Sequence, residues 1–257
     1  MSHWYDTKGN PCYEVEKKKG GMRPSHLGDA RKHGWVPSAT SIWGDVIARP
    51  QLNNWIQTQL MQALWAELHS AAFSKDGGFE TFEKLARNKY SKQQQVTMNR
   101  GTTIHDHLEI YFKGGDAPRE NMFICDTVER KLSDVCGNSN WVAEASFAHA
   151  SGYGGKIDLH NDDWVVDFKT KDFADNPDVK DMVYDDQGCQ LAAYNQGIGG
   201  GRRLLNLFID VKTGAVLSWE HEDVGRFQEM FNHALALWKL IKKYDPSFMD
   251  RRISVSY

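Results

Sequence analysis

Residues 154–172 read GGKIDLHNDDWVVDFKTKD. In a strand, side chains alternate between faces, so residues two apart share one. On that rule Lys156, Asp158 and His160 point one way, and Ile157 and Leu159 the other. On the following strand Asp167, Lys169 and Lys171 share a face, with Val166, Phe168 and Thr170 opposite. A two-residue turn at Asn161-Asp162 sets Asp158 opposite Val165 and diagonal to Asp167, roughly 7–8 Å away at the backbone. A three-residue loop reverses that parity. Two readings stay open: a solvated hairpin with incidental charge, or two carboxylates and an ammonium aimed at one point.

The texture on either side decides the fold class. Residues 141–149, 153–160 and 163–170 alternate or run apolar in the manner of strands, as do 203–211 and 215–220. Between them a helix is expected from about Asp181 to Gln196, and an amphipathic helix over about 223–243 closes the chain. Ahead of the strands, Pro37-Ser38 offers an N-cap for a helix to about Ile47, and Pro50 restarts a second. Gly77-Gly78 interrupts it. Helical character then runs from Phe79 to about Phe112, with a break near Lys92, and again from Glu120 to Val135. Residues 1–35 read as irregular or weakly stranded. The expected fold is α/β (α+β): a mixed central sheet flanked by helices, with an amino-terminal helical part. The division is 1–136 for the helical region and 137–257 for the sheet and its helices, packed as one compact unit.

The chain has 257 residues, enough for a well-buried core. A formal charge of −3 excludes a uniformly basic nucleic-acid coat but not a local basic groove. Its four cysteines, at 12, 125, 136 and 189, form no Cys-x-x-Cys pair, so free thiols are expected rather than a zinc ribbon or disulfide framework. No apolar run is long enough to span a bilayer, and the amino terminus lacks a signal-peptide stretch. The expected location is the cytoplasm, with no membrane partner.

Clustered carboxylates repel, and burial demands that something neutralise them. A hard divalent cation does so, because Mg²⁺ and Mn²⁺ favour carboxylate oxygens and water. Such an ion polarises a phosphoryl oxygen and lowers the pKa of bound water. A lysine two residues after the second aspartate puts an ammonium beside them. Together these groups make a phosphodiester hydrolysis site.

Gly155-Lys156-Ile157-Asp158 followed by Asp167-Phe168-Lys169 resembles the PD-(D/E)XK nuclease superfamily. Gly101-Thr102-Thr103-Ile104-His105 before the sheet and Gln190-Leu191-Ala192-Ala193-Tyr194 after it resemble the RecB-type branch. The segment PSATSIWGDVIARPQLNNW is similar to the entry segment of phage and mitochondrial genome maintenance exonucleases, so the resemblance covers about residues 35–195. It implies a nuclease-type core in which Asp158 and Asp167 bind Mg²⁺ or Mn²⁺ and Lys169 is catalytic. His105 adds a nitrogen ligand, which tilts preference toward Mn²⁺. Glu144, on the first strand, matches a frequent acidic position that binds a second metal or orients water. Gln190 and Tyr194, one helical turn apart, brace the site or contact the DNA backbone. Lys171 touches the next phosphate or is a solvated strand-end lysine. Gly101 and Thr102 support the histidine helix, with Gly101 permitting close approach to the sheet or a phosphate. The carbonyl of Phe168 is a further ligand in this family. The implied partner is DNA, single-stranded or at strand ends, in the host cytoplasm if the protein is phage-encoded.

Trp35, Trp43, Trp55 and Trp65 in the amino-terminal helices are core residues by spacing, or stacking platforms for bases if the helices arch over the site. Three alternatives accompany the exonuclease reading: an endonuclease on the same fold, a non-catalytic single-stranded-DNA-binding module, and an HD-type phosphohydrolase. The last is suggested by Ile104-His105-Asp106-His107, but those enzymes are all-helical, and the strands after Gly137 argue against it.

Overall fold

A computed structural model describes residues 3–47, 50–68, 78–137, 140–174 and 177–248. The element that positions everything else is a five-stranded sheet whose strands lie side by side in chain order. It is built from β5 (Val142–His149), β6 (Tyr153–His160), β7 (Trp164–Lys171), β8 (Arg203–Asp210) and β9 (Val216–Glu220). Neighbours run antiparallel except β7 and β8, which are parallel and joined through helix α6 (Asp185–Gly197). β7 and β8 are buried along most of their length, on both faces, and are mainly apolar, with Asp167, Lys169, Lys171 and Asn206 among the interruptions.

Under one face, Ile157, Val165 and Leu204 pack against Leu191 and Ala192 of α6 and against Phe231 and Trp238 of α7 (Val224–Lys242). Helix α2 (Ala39–Val46) joins this cluster through Ile42 and Trp43, and Ser38 caps it by accepting the Ser41 N–H. On α5 (Met122–Cys136) the buried stripe is Ile124, Cys125, Val128 and Leu132. Small ladders complete the amino-terminal part: β1 (Trp4–Tyr5) with β4 (Val36–Pro37), and β2 (Glu14–Glu16) with β3 (Met22–Pro24). The expectation for residues 1–35 missed helix α1 (Leu27–His33). Its start is fixed by reciprocal capping, with His26 Nδ1 accepting the Gly28 N–H and Asp29 the His26 N–H, at 3.0 Å each. Arg23 grips the same Asp29 carboxylate with two bonds of 2.7 Å, which hold it well below the usual carboxylate range.

The remaining helices are α3 (Pro50–Leu68) and α4 (Gly78–Phe112), the latter unbroken through Lys92 where an interruption was expected. The division of the chain does not fall at 136/137. One compact unit comprises Met1–Ile47 with His105–Tyr257, and the other Ala48–Ile104. The reason is the buried stripe of α5, which seats that helix within the sheet's unit. Trp43 is core, Trp35 is partly buried against the same cluster, and Trp65 is exposed on α3; the Trp55 side chain lies outside the described residues.

Gly155 in β6 shows how closely α6 is pressed to the sheet. A Cβ there would stand 2.6 Å from Tyr194 Cε1 and 2.8 Å from Phe147 Cε1. Gly155→Ala should therefore cost about 1–3 kcal/mol through displaced rings. Calorimetry should record that as a lowered Tm, and an unchanged Tm would mean the rings yield freely.

Candidate functional site

The turn between β6 and β7 differs from the expected one. Asn161 N–H bonds Trp164 O at 3.0 Å, so Asp162 and Asp163 are its centre, and Asn161 Oδ1 also accepts the Asp163 and Trp164 N–H groups. The resulting register pairs His160 with Val165 and Leu159 with Val166, not Asp158 with Val165. Beyond Leu159 the ladder stops, and Asp158 Oδ2 accepts the Phe168 N–H at 2.7 Å. A side-chain carboxylate has taken the place of a ladder carbonyl.

The expected common face of Lys156, Asp158 and His160 is also interrupted. Ile157 packs in the cluster with Val165, whereas Leu159 lies opposite Val166, which points the other way. Both placements hold only if alternation in β6 slips at Asp158. Across the β5–β6 ladder from Asp158 stands Glu144, at φ 59°, between the pairs Ala143↔Leu159 and Ala145↔Ile157. A non-glycine residue in the left-handed region inside a strand is strained.

Asp167 lies at 4% exposure on β7 and accepts from three side chains. Gln190 Nε2 donates to Oδ1 at 2.7 Å, and Asn206 Nδ2 to Oδ2 at 2.7 Å. Lys169 Nζ pairs with Oδ2 at 2.8 Å. Gln190 Oε1 in turn accepts from Lys169 Nζ at 3.1 Å, and its Nε2 reaches Tyr194 OH at 3.1 Å. The four-residue spacing of Gln190 and Tyr194 on α6 is what lets one amide reach both. Burial, and then the neighbouring Asp158, raise the Asp167 carboxyl above its ordinary value despite Lys169. Burial alone would lower the Lys169 ammonium, but the Asp167 and Asp158 charges outweigh it and hold the lysine charged.

His105, on the last turns of α4, sets Nδ1 3.5 Å from Asp158 Oδ1, and its ring packs edge-on against Phe168, centroids 5.9 Å apart. Burial depresses the imidazole, yet the Asp158 and Asp167 carboxylates reverse the sign and its pKa is raised. The sequence-predicted residues thus form two contact sets, His105 with Asp158 and Asp167 with Lys169, Gln190 and Tyr194, and Phe168 joins them by donating its N–H to Asp158 and packing its ring against His105.

Glu144 is engaged elsewhere. Its buried Oε2 meets Lys156 Nζ as an ion pair rather than an aligned hydrogen bond, and Lys156 also stands 3.7 Å from Glu109 Oε2. Lys171 donates to Met182 O at 3.2 Å and lies over the Tyr184 and Phe208 rings, and burial followed by Lys169 lowers its pKa. It is held by the protein, not a solvated strand end. Gly101, buried, and Thr102, exposed, precede His105 on α4 within the other compact unit. Asp106 is exposed, and His107 bonds Asn121 at 2.8 Å.

Sequence reading missed Asn206, although a lone polar residue inside RLLNLFID was a signal. It also missed Asp186, one turn before Gln190, whose charge acts on Lys169 and Lys171.

Among the described residues, no three His, Cys, Asp or Glu side chains are grouped as ready ligands for a metal ion. No helix of the described residues is long and apolar enough to cross a membrane. No protein-family profile matches the sequence, and no curated protein does. Among solved structures the chain is similar to one titled "Crystal structure of SSO0001", with 12% identity and a TM-score of 0.30 over 71% of this chain and 86% of that one.

The His105–Asp158 pairing has a measurable consequence. In metal-free protein, Asp158→Asn should lower the His105 pKa, read from imidazole NMR shifts across a pH series. A raised folded pKa means the pairing stabilises the fold below the unfolded value of 6.5 and fades as pH rises through the folded one. An unmoved titration in the variant would remove Asp158 as the cause.

Proposed function

We propose that the protein is a divalent-metal-dependent DNA exonuclease with a PD-(D/E)XK-type core, hydrolysing phosphodiester bonds from strand ends and preferring single strands. The observation that carries this is the placement of two contact sets on either side of Phe168: Asp167, Lys169 and Gln190 at 2.7–3.1 Å from one another, and Asp158 beside His105 at 3.5 Å, with Asp158 accepting the Phe168 N–H at 2.7 Å. The mixed sheet with an α crossover before β8 supports the core assignment, and it departs from the all-helical HD fold.

The donor chemistry fits Mg²⁺ or Mn²⁺. Two carboxylates lie close enough to oppose each other's charge, and one imidazole stands beside Asp158. A carboxylate offers about four lone-pair positions. Asp167 uses three of them among the described residues, so acceptor capacity remains on Oδ1, and Asp158 Oδ1 lies beside His105. Asp158, Asp167 and His105 would hold the ion, with waters completing its shell. When bound, it supplies polarisation of a phosphoryl oxygen and a more acidic water.

The chain's own contribution is electrostatic preorganisation. Lys169 is fixed between Asp167 Oδ2 and Gln190 Oε1, so its positive charge is in place before negative charge develops on the phosphate. Water is the nucleophile, and no covalent intermediate is required. Gln190 touches both the lysine and the carboxylate, and Tyr194, accepting from the same amide, anchors it from the core.

Lys169→Ala should lower cleavage by about 10²–10³-fold or more. The fold should survive, because Gln190 and Asn206 still satisfy Asp167. The assay supplies end-labelled single strands, duplexes and closed circles with Mn²⁺, Mg²⁺ or EDTA. Wild-type rates in the variant would remove the central claim. Cleavage of closed circles would make the enzyme an endonuclease, and DNA binding without any cleavage would make it a binding module.

A further inference from the structure

A polar row crosses the sheet from the site to its edge. Asp167 on β7 pairs in register with Asn206 on β8, and His221, just past β9, donates its backbone N–H to Leu204 O at 2.9 Å. The three residues are 4%, 0% and 3% exposed. Asn206 Nδ2 donates to Asp167 Oδ2 at 2.7 Å and to the Asp167 carbonyl at 3.1 Å, while its Oδ1 meets His221 Nε2 at 2.8 Å. The neighbours of Asn206 along β8, Leu204, Leu205, Leu207, Phe208 and Ile209, are all fully buried and apolar. An aliphatic residue would suit that position for packing alone, and burying an amide and an imidazole there is unfavourable unless both are satisfied.

The atoms allow one arrangement. An amide oxygen only accepts, so Nε2 of His221 must carry the proton and donate. Burial pushes the His221 pKa down to about 4, so the neutral ring has a single proton to place. Turning the Asn206 amide over would aim its oxygen at the Asp167 carboxylate, which is repulsive whichever nitrogen of His221 carries the proton.

We infer that Asn206 and His221 are positioning residues: His221 fixes the orientation of the Asn206 amide, and that amide fixes the Asp167 carboxylate with its remaining acceptor capacity on Oδ1. The catalytic consequence rests on the nuclease reading, whereas the arrangement itself does not. Partners that orient a metal-binding group from behind typically change metal affinity or activity by about 10–100-fold when removed.

The test uses the full chain and the variants His221→Phe, His221→Gln and Asn206→Leu. Nitrogen NMR of the wild-type His221 ring should find the proton on Nε2, and a proton on Nδ1 alone would overturn the arrangement whatever the activity. His221→Phe should remain folded, with kcat on single-stranded DNA lowered about 10–100-fold and KM little changed. His221→Gln, which keeps an N–H donor, should recover most of that loss. Wild-type kcat in folded His221→Phe would overturn the inference. If that variant fails to fold, Asn206→Leu decides the same question, because leucine suits the apolar strand. If the wild-type protein cleaves no DNA, the nuclease reading fails on its own. Calorimetry with Mn²⁺ alone then judges the relay: weaker binding in the variants supports it, and equal binding overturns it.

Discussion

Everything in this site depends on holding a buried carboxyl group still, with its oxygens satisfied. Asp167 has 4% of its surface exposed, and isolating a carboxylate from water costs several kcal/mol even after relaxation. The fold meets that cost from three different elements. Gln190 comes from α6, Asn206 from the neighbouring strand β8, and Lys169 from β7 itself. One acid group therefore pins a helix and two strands to each other. The parallel pairing of β7 and β8 is what brings Asn206 level with Asp167, and it exists because α6 provides the crossover.

Asp158 solves the same problem in a different way. It does not sit in a regular ladder. The β6–β7 pairing holds only next to the turn, and the Asp158 carboxylate then bridges the opening to the Phe168 N–H. Charge-assisted hydrogen bonds of this kind are stronger than neutral ones, so the side chain compensates for the lost backbone pairing. The opposite charge of Lys169 and the raised imidazole of His105 then balance the two aspartates. Each buried aspartate therefore has a basic side chain beside it, Lys169 at Asp167 and His105 at Asp158, and a close partner is what a buried ionisable group needs.

Much of this was legible in the residues. The alternation around Asp167 and Lys169, the four-residue step from Gln190 to Tyr194, and the helical histidine all express short-range periodicities, and those periodicities survive into the structure. What escaped depended on longer range or on broken rules. The turn between β6 and β7 was misplaced by one residue because Asn161 caps it with its own side chain, moving the centre to Asp162-Asp163. The faces of β6 could not be read through Asp158, since a strand pattern assumes an alternation that slips there. Asn206 and His221 join the site by register across β8 and β9, and register is a property of the assembled sheet. Lys171 looked like a solvated strand end because nothing local announced that Tyr184 and Met182 would cover it.

The slip in β6 and the strain at Glu144 are best understood together. A left-handed residue in a strand costs roughly 1–3 kcal/mol and survives only where its surroundings over-determine it. The Lys156 pair is a weak reason for that survival. The Lys156 side chain is 40% exposed and its ammonium is shared with Glu109, and exposed pairs contribute little after screening. The firmer constraint is the ladder on both sides of Glu144, from Ala143↔Leu159 to the run Ala145↔Ile157, Ser146↔Lys156 and Phe147↔Gly155. Those pairs fix β5 and β6 in register while α6 presses on Gly155 from beneath. With the flanks held, the backbone across from Asp158 takes up the distortion. That distortion is what frees Asp158 from regular pairing and lets its carboxylate turn between His105 and the Phe168 N–H.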